Sequence, residues 1–182
     1  LLMPVVGDAV IAGLAVVNIA LWGASILFYR LVADEWGDSV AGRAVWYLLI
    51  FPTAFFGSAI YSESLFLLAA IGAYLAGRRQ HWWLAGLLGA AATATRLVGI
   101  IIVPLLLLEW LGQRFNSDSD NRPGWGTILF PLLAPAGLLT YMAYLWQRFD
   151  DPFGFVTASA AWGRVAQSPS LTIMGLLEPP AG

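Results

Sequence analysis

Apolar runs of about 20 residues recur along this chain, each long enough to cross a hydrocarbon core of roughly 30 Å as a helix. Lipid offers no hydrogen-bond partner to a peptide group, so such runs are expected to form helices packed side by side. The reading is an all-α, polytopic transmembrane bundle, in which residues 1–182 form a single partial transmembrane domain. Composition agrees: 59% of residues are hydrophobic, 11% are charged, and mean hydropathy is +0.75, outside the balance of a soluble domain.

Charge and punctuation order the spans. The first runs from about Ala9 to Ala33 and closes with Tyr29 and Arg30 before the polar turn Asp34-Glu35-Trp36-Gly37-Asp38. A second helix is expected to start near Ser39, as N-cap, and to pass Arg43, Trp46 and Tyr47 to Phe56, with Pro52 near its far end. A third, from about Ser62 to Gly77, ends on Arg78 and Arg79, where cations suit both a helix C-terminus and a cytoplasmic face.

Trp82 to Leu111 can be one overlong helix with Arg96 in mid-membrane, or two shorter helices meeting near Thr95-Arg96-Leu97-Val98-Gly99. Only the second reading puts both the Arg78-Arg79-Gln80-His81 turn and the Arg114 to Arg122 loop in the cytoplasm, so the hairpin is preferred. A last span, Trp125 to Trp146 with Pro131 and Pro135, then delivers Arg148-Phe149-Asp150-Asp151-Pro152 to the opposite face. With loops near 34–42, 78–82 and 112–124 cytoplasmic, the clusters Tyr61 to Ser64, Thr95-Arg96 and Asp150-Asp151 share the extracytoplasmic side.

Other features read as structural. Trp36, Trp82, Trp83, Trp110, Trp125 and Trp146 sit near segment ends, where indole rings form an aromatic belt. Gly86, Gly89, Ala90 and Thr93 make a small-residue face for close helix packing. His81, the lone histidine, reads as solvated. The 116–121 stretch lacks the Gly and Glu of an EF-hand and reads as a flexible linker. The residues from Leu171 to Gly182 start an apolar run and stop, and no basic leader opens the chain, so a fragment cut at both ends is expected.

Several function classes drop out. A net charge of −2 with dispersed charges offers no basic stripe for nucleic acid. The lack of cysteine removes disulfides, thiolate metal sites and thiol nucleophiles. No zinc helix, P-loop, Rossmann fingerprint or nucleophile elbow is present. What remains is Glu63, Tyr61, Arg96 and Asp150 or Asp151. Two readings of Glu63 and Arg96 stand level on spacing alone. In one, Glu63 caps its helix and Arg96 snorkels or pairs with it. In the other, an Arg at the bilayer rim binds a lipid-linked phosphate while the carboxylate orients or activates a hydroxyl.

Residues 51–66, FPTAFFGSAIYSESLF, resemble the signature of the integral-membrane mannosyltransferases related to the enzyme that adds the second mannose to glycosylphosphatidylinositol anchors. Arg78-Arg79, Trp82 to Leu87, Ala94-Thr95-Arg96, Gly99, Tyr141 to Trp146 and Arg148 to Pro152 follow in the order of the prokaryotic members, so the likeness covers most of residues 8–165. The resemblance implies a GT-C type fold with short or broken helices in a prokaryotic plasma membrane. It also implies inverting transfer of mannose from a polyprenyl-phosphate donor to a glycan or lipid-linked acceptor at the extracytoplasmic face. The donor is a co-substrate; no other cofactor is expected and no metal ligand is assigned.

On that resemblance Glu63, Tyr61 and Ser62 are acceptor-side or structural members of the site, Arg96 with Thr95 contacts the phosphate, and Asp150 and Asp151 are outer-loop candidates. GT-C enzymes carry their catalytic Asp in the first outer loop; no helix and loop precede Ala9, and Asp8 stands too near the start for that role, so the general base is expected outside this chain. The rivals are a transporter or lipid flippase lined by broken helices, for which no internal repeat argues, and a non-catalytic scaffold subunit.

Overall fold

The computed structural model describes residues 9–116 and 122–161; Asp8, residues 117–121 of the expected linker and the apolar run at 171–182 lie outside them. Among the described residues every regular element is helical. The chain divides into two compact units, one running to Tyr141 and the other from Met142 onward.

Helix α1, Ala9–Trp36, is 28 residues of nearly unbroken apolar sequence. Gly37, at φ 80, turns the chain into α2, Asp38–Ile50, which packs back along α1. Gly37 rather than Ser39 occupies the cap, and no side chain caps the helix. The second span therefore differs from expectation at both ends. At its far end α2 stops at Ile50, because Pro52 disfavours helical geometry in the residue before it and Phe51 adopts φ −59, ψ 139. Its 13 residues rise about 20 Å, short of a hydrocarbon core. A single turn, α3 at Phe55–Ser58, follows, and Ala59 is extended.

Helix α4, Glu63–Arg78, closes with a Schellman arrangement: His81 N–H donates to the Ala76 carbonyl at 2.8 Å and Gln80 N–H to that of Gly77 at 3.0 Å. Gln80 takes the left-handed position at φ 61. The chain reverses at once into α5, Trp82–Thr95. Arg96 is extended at φ −150, ψ 142, and a 3-10 turn, Leu97–Ile101, leads into α6, Ile102–Asn116. Residues 82–111 are thus two helices joined at Arg96, as the loop charges argued. Gly99 permits the junction: a Cβ there would lie 2.5 Å from the Ala92 carbonyl oxygen.

The 3-10 turn Trp125–Ile128, the short α7, Leu129–Leu133, and α8, Ala136–Phe149, follow, interrupted at Ala134-Pro135. The small-residue face of α5 receives this segment. A Cβ on Gly86 would stand 2.4 Å from the Phe130 carbonyl oxygen, one on Gly137 would stand 1.8 Å from that of Ala90, and the Thr93 hydroxyl donates to the Ala134 carbonyl at 2.6 Å. The second unit holds the end of α8, a turn at Asp150 with φ 55, and α9, Gly154–Ala161.

Two of the expected belt tryptophans are core residues instead. Trp82 and Trp110 are buried with Leu106, Ala73 and Ala134, and Trp110 Nε1 donates to Thr127 Oγ1 at 2.9 Å. Gly77 makes room for the Trp82 ring, whose nearest atom would be 3.4 Å from a Cβ there. Trp36, Trp83, Trp125 and Trp146 are exposed, as is His81.

Three stretches, Ala9–Trp36, Leu97–Asn116 and Trp125–Phe149, are long and apolar enough to cross a membrane, which supports a membrane location. Replacing Gly86 with Ala forces a methyl group against backbone and is expected to destabilise the first unit by about 1–3 kcal/mol. Gly42→Ala, with nothing within 4 Å, is the control. Thermal unfolding in detergent checks the pair: Gly86→Ala lowers the midpoint and Gly42→Ala does not.

Candidate functional site

Helices α4 and α5 are antiparallel arms of 16 and 14 residues joined by a tight turn. Near-equal arms return the chain to its starting height, about 24 Å from the turn. The first residue of α4 and the residue after α5 therefore meet, and Arg96 Nη1 forms an ion pair with Glu63 Oε1. Glu63 stands in the first turn of α4, where the helix dipole favours its ionised form. Its side chain is 29% exposed and that of Arg96 37%, so the pair sits at a rim rather than in a sealed core.

The second carboxylate oxygen, Glu63 Oε2, is buried with no hydrogen-bond partner among the described residues. Glu63 also lines a cavity of about 480 Å³ whose wall is otherwise almost wholly apolar, including Leu21, Phe28, Leu48, Phe51 and Phe56. The cavity is lined by α1, the far end of α2, the turns from Phe51 to Gly57 and the start of α4. Glu63 thus carries one oxygen on Arg96 and one buried oxygen without a described partner, beside an apolar cavity.

The other expected site residues are placed as follows. Tyr61 is exposed beside Glu63, with its ring edge-on to Phe56 at 5.4 Å. Ser62 holds the N-cap position of α4 but makes no side-chain cap bond. Thr95 donates its hydroxyl to the Ala92 carbonyl of its own helix at 2.8 Å, so this bond ties it to α5. Asp150 and Asp151 belong to the second unit, where Asp151 Oδ1 accepts the Phe153 N–H at 2.9 Å. The structure joins Glu63 with Arg96, and Tyr61 and Ser62 lead directly into them.

A second charged cluster occupies the opposite end of the α4–α5 hairpin. Arg79 Nη2 meets Asp34 Oδ2 at 3.0 Å, Arg78 pairs with Glu35, and Arg78 Nε lies 3.6 Å from Glu109 Oε1. Glu109 also accepts from Tyr74 Oη at 3.4 Å and from Gln113 Nε2 at 2.7 Å. The sequence reading missed Glu109. Its signal was a lone carboxylate inside the apolar run Leu105 to Trp110, a placement that demands partners.

No family model matches the chain, and no solved structure matches it. The chain is similar to GPI mannosyltransferase 2 from two strains of Cryptococcus neoformans var. neoformans serotype D, with 34% identity over 117 residues in each case. The match takes in 63% of this chain and 27% of the fungal proteins, so the chain spans about a quarter of the length of these relatives. The likeness supports a mannosyltransferase-related family.

The geometry makes a sidedness prediction. The protein has no native cysteine, so single cysteines report cleanly. Cysteines at Tyr61 and Leu97, both exposed, are expected to react with a membrane-impermeant maleimide from the same side, and a cysteine at His81 from the other. Labelling of positions 61 and 97 from opposite sides would separate Glu63 from Arg96.

Proposed function

We propose that this chain is part of a GT-C type mannosyltransferase of a prokaryotic plasma membrane, transferring mannose from a polyprenyl-phosphate donor to an acceptor hydroxyl at the extracytoplasmic face. The observation that carries the reading is the Glu63–Arg96 pair at the edge of an apolar cavity, with Glu63 Oε2 left without a partner. The likeness to GPI mannosyltransferase 2 supports the sugar and the reaction class. The Arg78-Arg79 turn at the far end of the hairpin supports the side.

In this reading the apolar cavity takes isoprenoid chain from the donor. Arg96 has five N–H donors in a planar fork, of which one nitrogen serves Glu63, and the rest suit a phosphate. The acceptor oxygen attacks the anomeric carbon from the face opposite the phosphate. The bond from that carbon to the phosphate oxygen breaks, and its electron pair leaves with the polyprenyl phosphate. The guanidinium stabilises the charge that develops there. The acceptor proton passes to the general base, and Glu63 stands on the acceptor side, where its carboxylate orients the hydroxyl. Tyr61 and Ser62 flank the acceptor.

The test is mannose transfer by the full-length parent protein from a short-chain polyprenyl-phosphate mannose. Glu63→Gln is expected to lower kcat by about tenfold or more, since it removes the charge that orients the hydroxyl and pairs with Arg96 and leaves the shape. Arg96→Ala is expected to raise the donor KM about tenfold, with Arg96→Lys between the two. Full transfer by Glu63→Gln would overturn this assignment, and substrate counterflow without bond formation would favour a transporter.

A further inference from the structure

Asn18 carries the one side-chain amide of α1, a helix long and apolar enough to cross the membrane. Its Nδ2 donates twice, to the Leu14 carbonyl of its own helix at 2.8 Å and to the Ser58 carbonyl, 40 residues away, at 3.2 Å. Ser58 is the last residue of the single turn α3, just before the backbone becomes extended at Ala59. A peptide carbonyl where a helix stops has lost its ordinary helical donor. Asn18 supplies one.

Two contacts flank this bond and hold the same stretch of chain. A Cβ on Gly13 would lie 3.2 Å from Ile60 Cγ2, and a Cβ on Gly57 would lie 3.3 Å from Leu21 Cδ1. The absent methyl groups let residues 57–60 lie directly on α1, and the amide is the polar tie among these contacts. Apolar contacts are non-directional and permit sliding; a hydrogen bond to one carbonyl fixes position along α1. From Ser58 the chain reaches Glu63 in five steps, through an irregular segment that carries a Tyr61 N–H to Ala59 carbonyl bond at 2.7 Å. The α4–α5 hairpin brings Glu63 level with Arg96, and this pinned segment enters α4 immediately before that carboxylate.

We propose that Asn18 is a positioning residue for Glu63, acting through the Ser58 carbonyl. Its effect on catalysis rests on the mannosyl-transfer reading above; the anchoring itself does not. Two measurements on the full-length protein in proteoliposomes keep these apart. The first is the oxidative cross-linking rate of a Gly13→Cys/Ile60→Cys pair, compared between Asn18 and Asn18→Leu backgrounds. Leu keeps the volume and suits the membrane helix, so folding is preserved while the tie is lost. The rate is expected to fall about fivefold in Asn18→Leu and to recover at least half in Asn18→Gln, which restores the donor.

The second measurement is mannose transfer without the cysteines. Asn18→Leu is expected to lower kcat about tenfold with the donor KM changed less than about threefold, and Asn18→Gln to recover most of the loss. An unchanged cross-linking rate in Asn18→Leu would overturn the proposal. So would unchanged transfer in Asn18→Leu where Glu63→Gln lowers it. If Glu63→Gln itself transfers normally, the mannosyl-transfer assignment of Glu63 falls, and the cross-linking rate alone decides the anchoring.

Discussion

The first unit is organised around one antiparallel hairpin, α4 and α5, whose arms differ by two residues. Its turn is closed by backbone bonds, and Gly72 and Gly77 of α4 lie against Leu88 and Trp82 of α5, where the missing side chains let the arms approach closely. Everything else is placed against it. Helix α1 lies along α4, α6 returns beside both arms, and the segment from Trp125 to Gly137 fills the small-residue face of α5. Because the arms match in length, charges at the two ends are separated by the full height of the hairpin, with Glu63 and Arg96 at one end and Arg78 and Arg79 at the other.

Membrane-spanning helices keep their backbone groups satisfied internally, so each break in this chain raises the question of what replaces the missing bond. The breaks are answered locally. At Ser58 the Asn18 amide donates to the carbonyl; before Pro135 the Thr93 hydroxyl donates to that of Ala134; at Arg96 the backbone N–H still reaches the Ala92 carbonyl at 3.3 Å. Glycine acts beside two of these points. Gly99 and Gly137 bring backbone within reach of backbone where any side chain would collide. The cavity beside Glu63 borders the first of these breaks.

The site and the remote charged cluster differ in how fully their groups are engaged. Around Arg78 and Arg79 the carboxylates of Asp34, Glu35 and Glu109 are all paired, and Glu109 gains bonds from Tyr74 and Gln113. That arrangement ties α1, α4 and α6 together at one end. Glu63 instead has one oxygen on Arg96 and one buried oxygen without a described partner. A buried oxygen left without a partner is costly, so the Glu63 pair is less fully satisfied than the cluster at the other end of the hairpin.

Much of this was written in local sequence. The apolar runs demanded a helical membrane protein; Arg96 within Trp82 to Leu111 made one long helix costly, and the arginines of the two flanking loops favoured a break there. The small face of α5 was legible as a spacing. Other features were not local properties. Pro52 marked a weak point but not that α2 would end at Ile50, and six tryptophans near segment ends looked alike although Trp82 and Trp110 are buried. Burial depends on which helix lies opposite, and Gly77 and Thr127 are what receive those two rings. Glu109 and Asn18 were likewise visible as lone polar groups, but their partners lie 31 and 40 residues away in sequence. The sequence by itself determined the solvent and the helical class, since these follow from transfer free energies and backbone bonding of each segment. Only the packing of equal helical arms decided that Glu63 meets Arg96, because that contact depends on two lengths and a turn acting together.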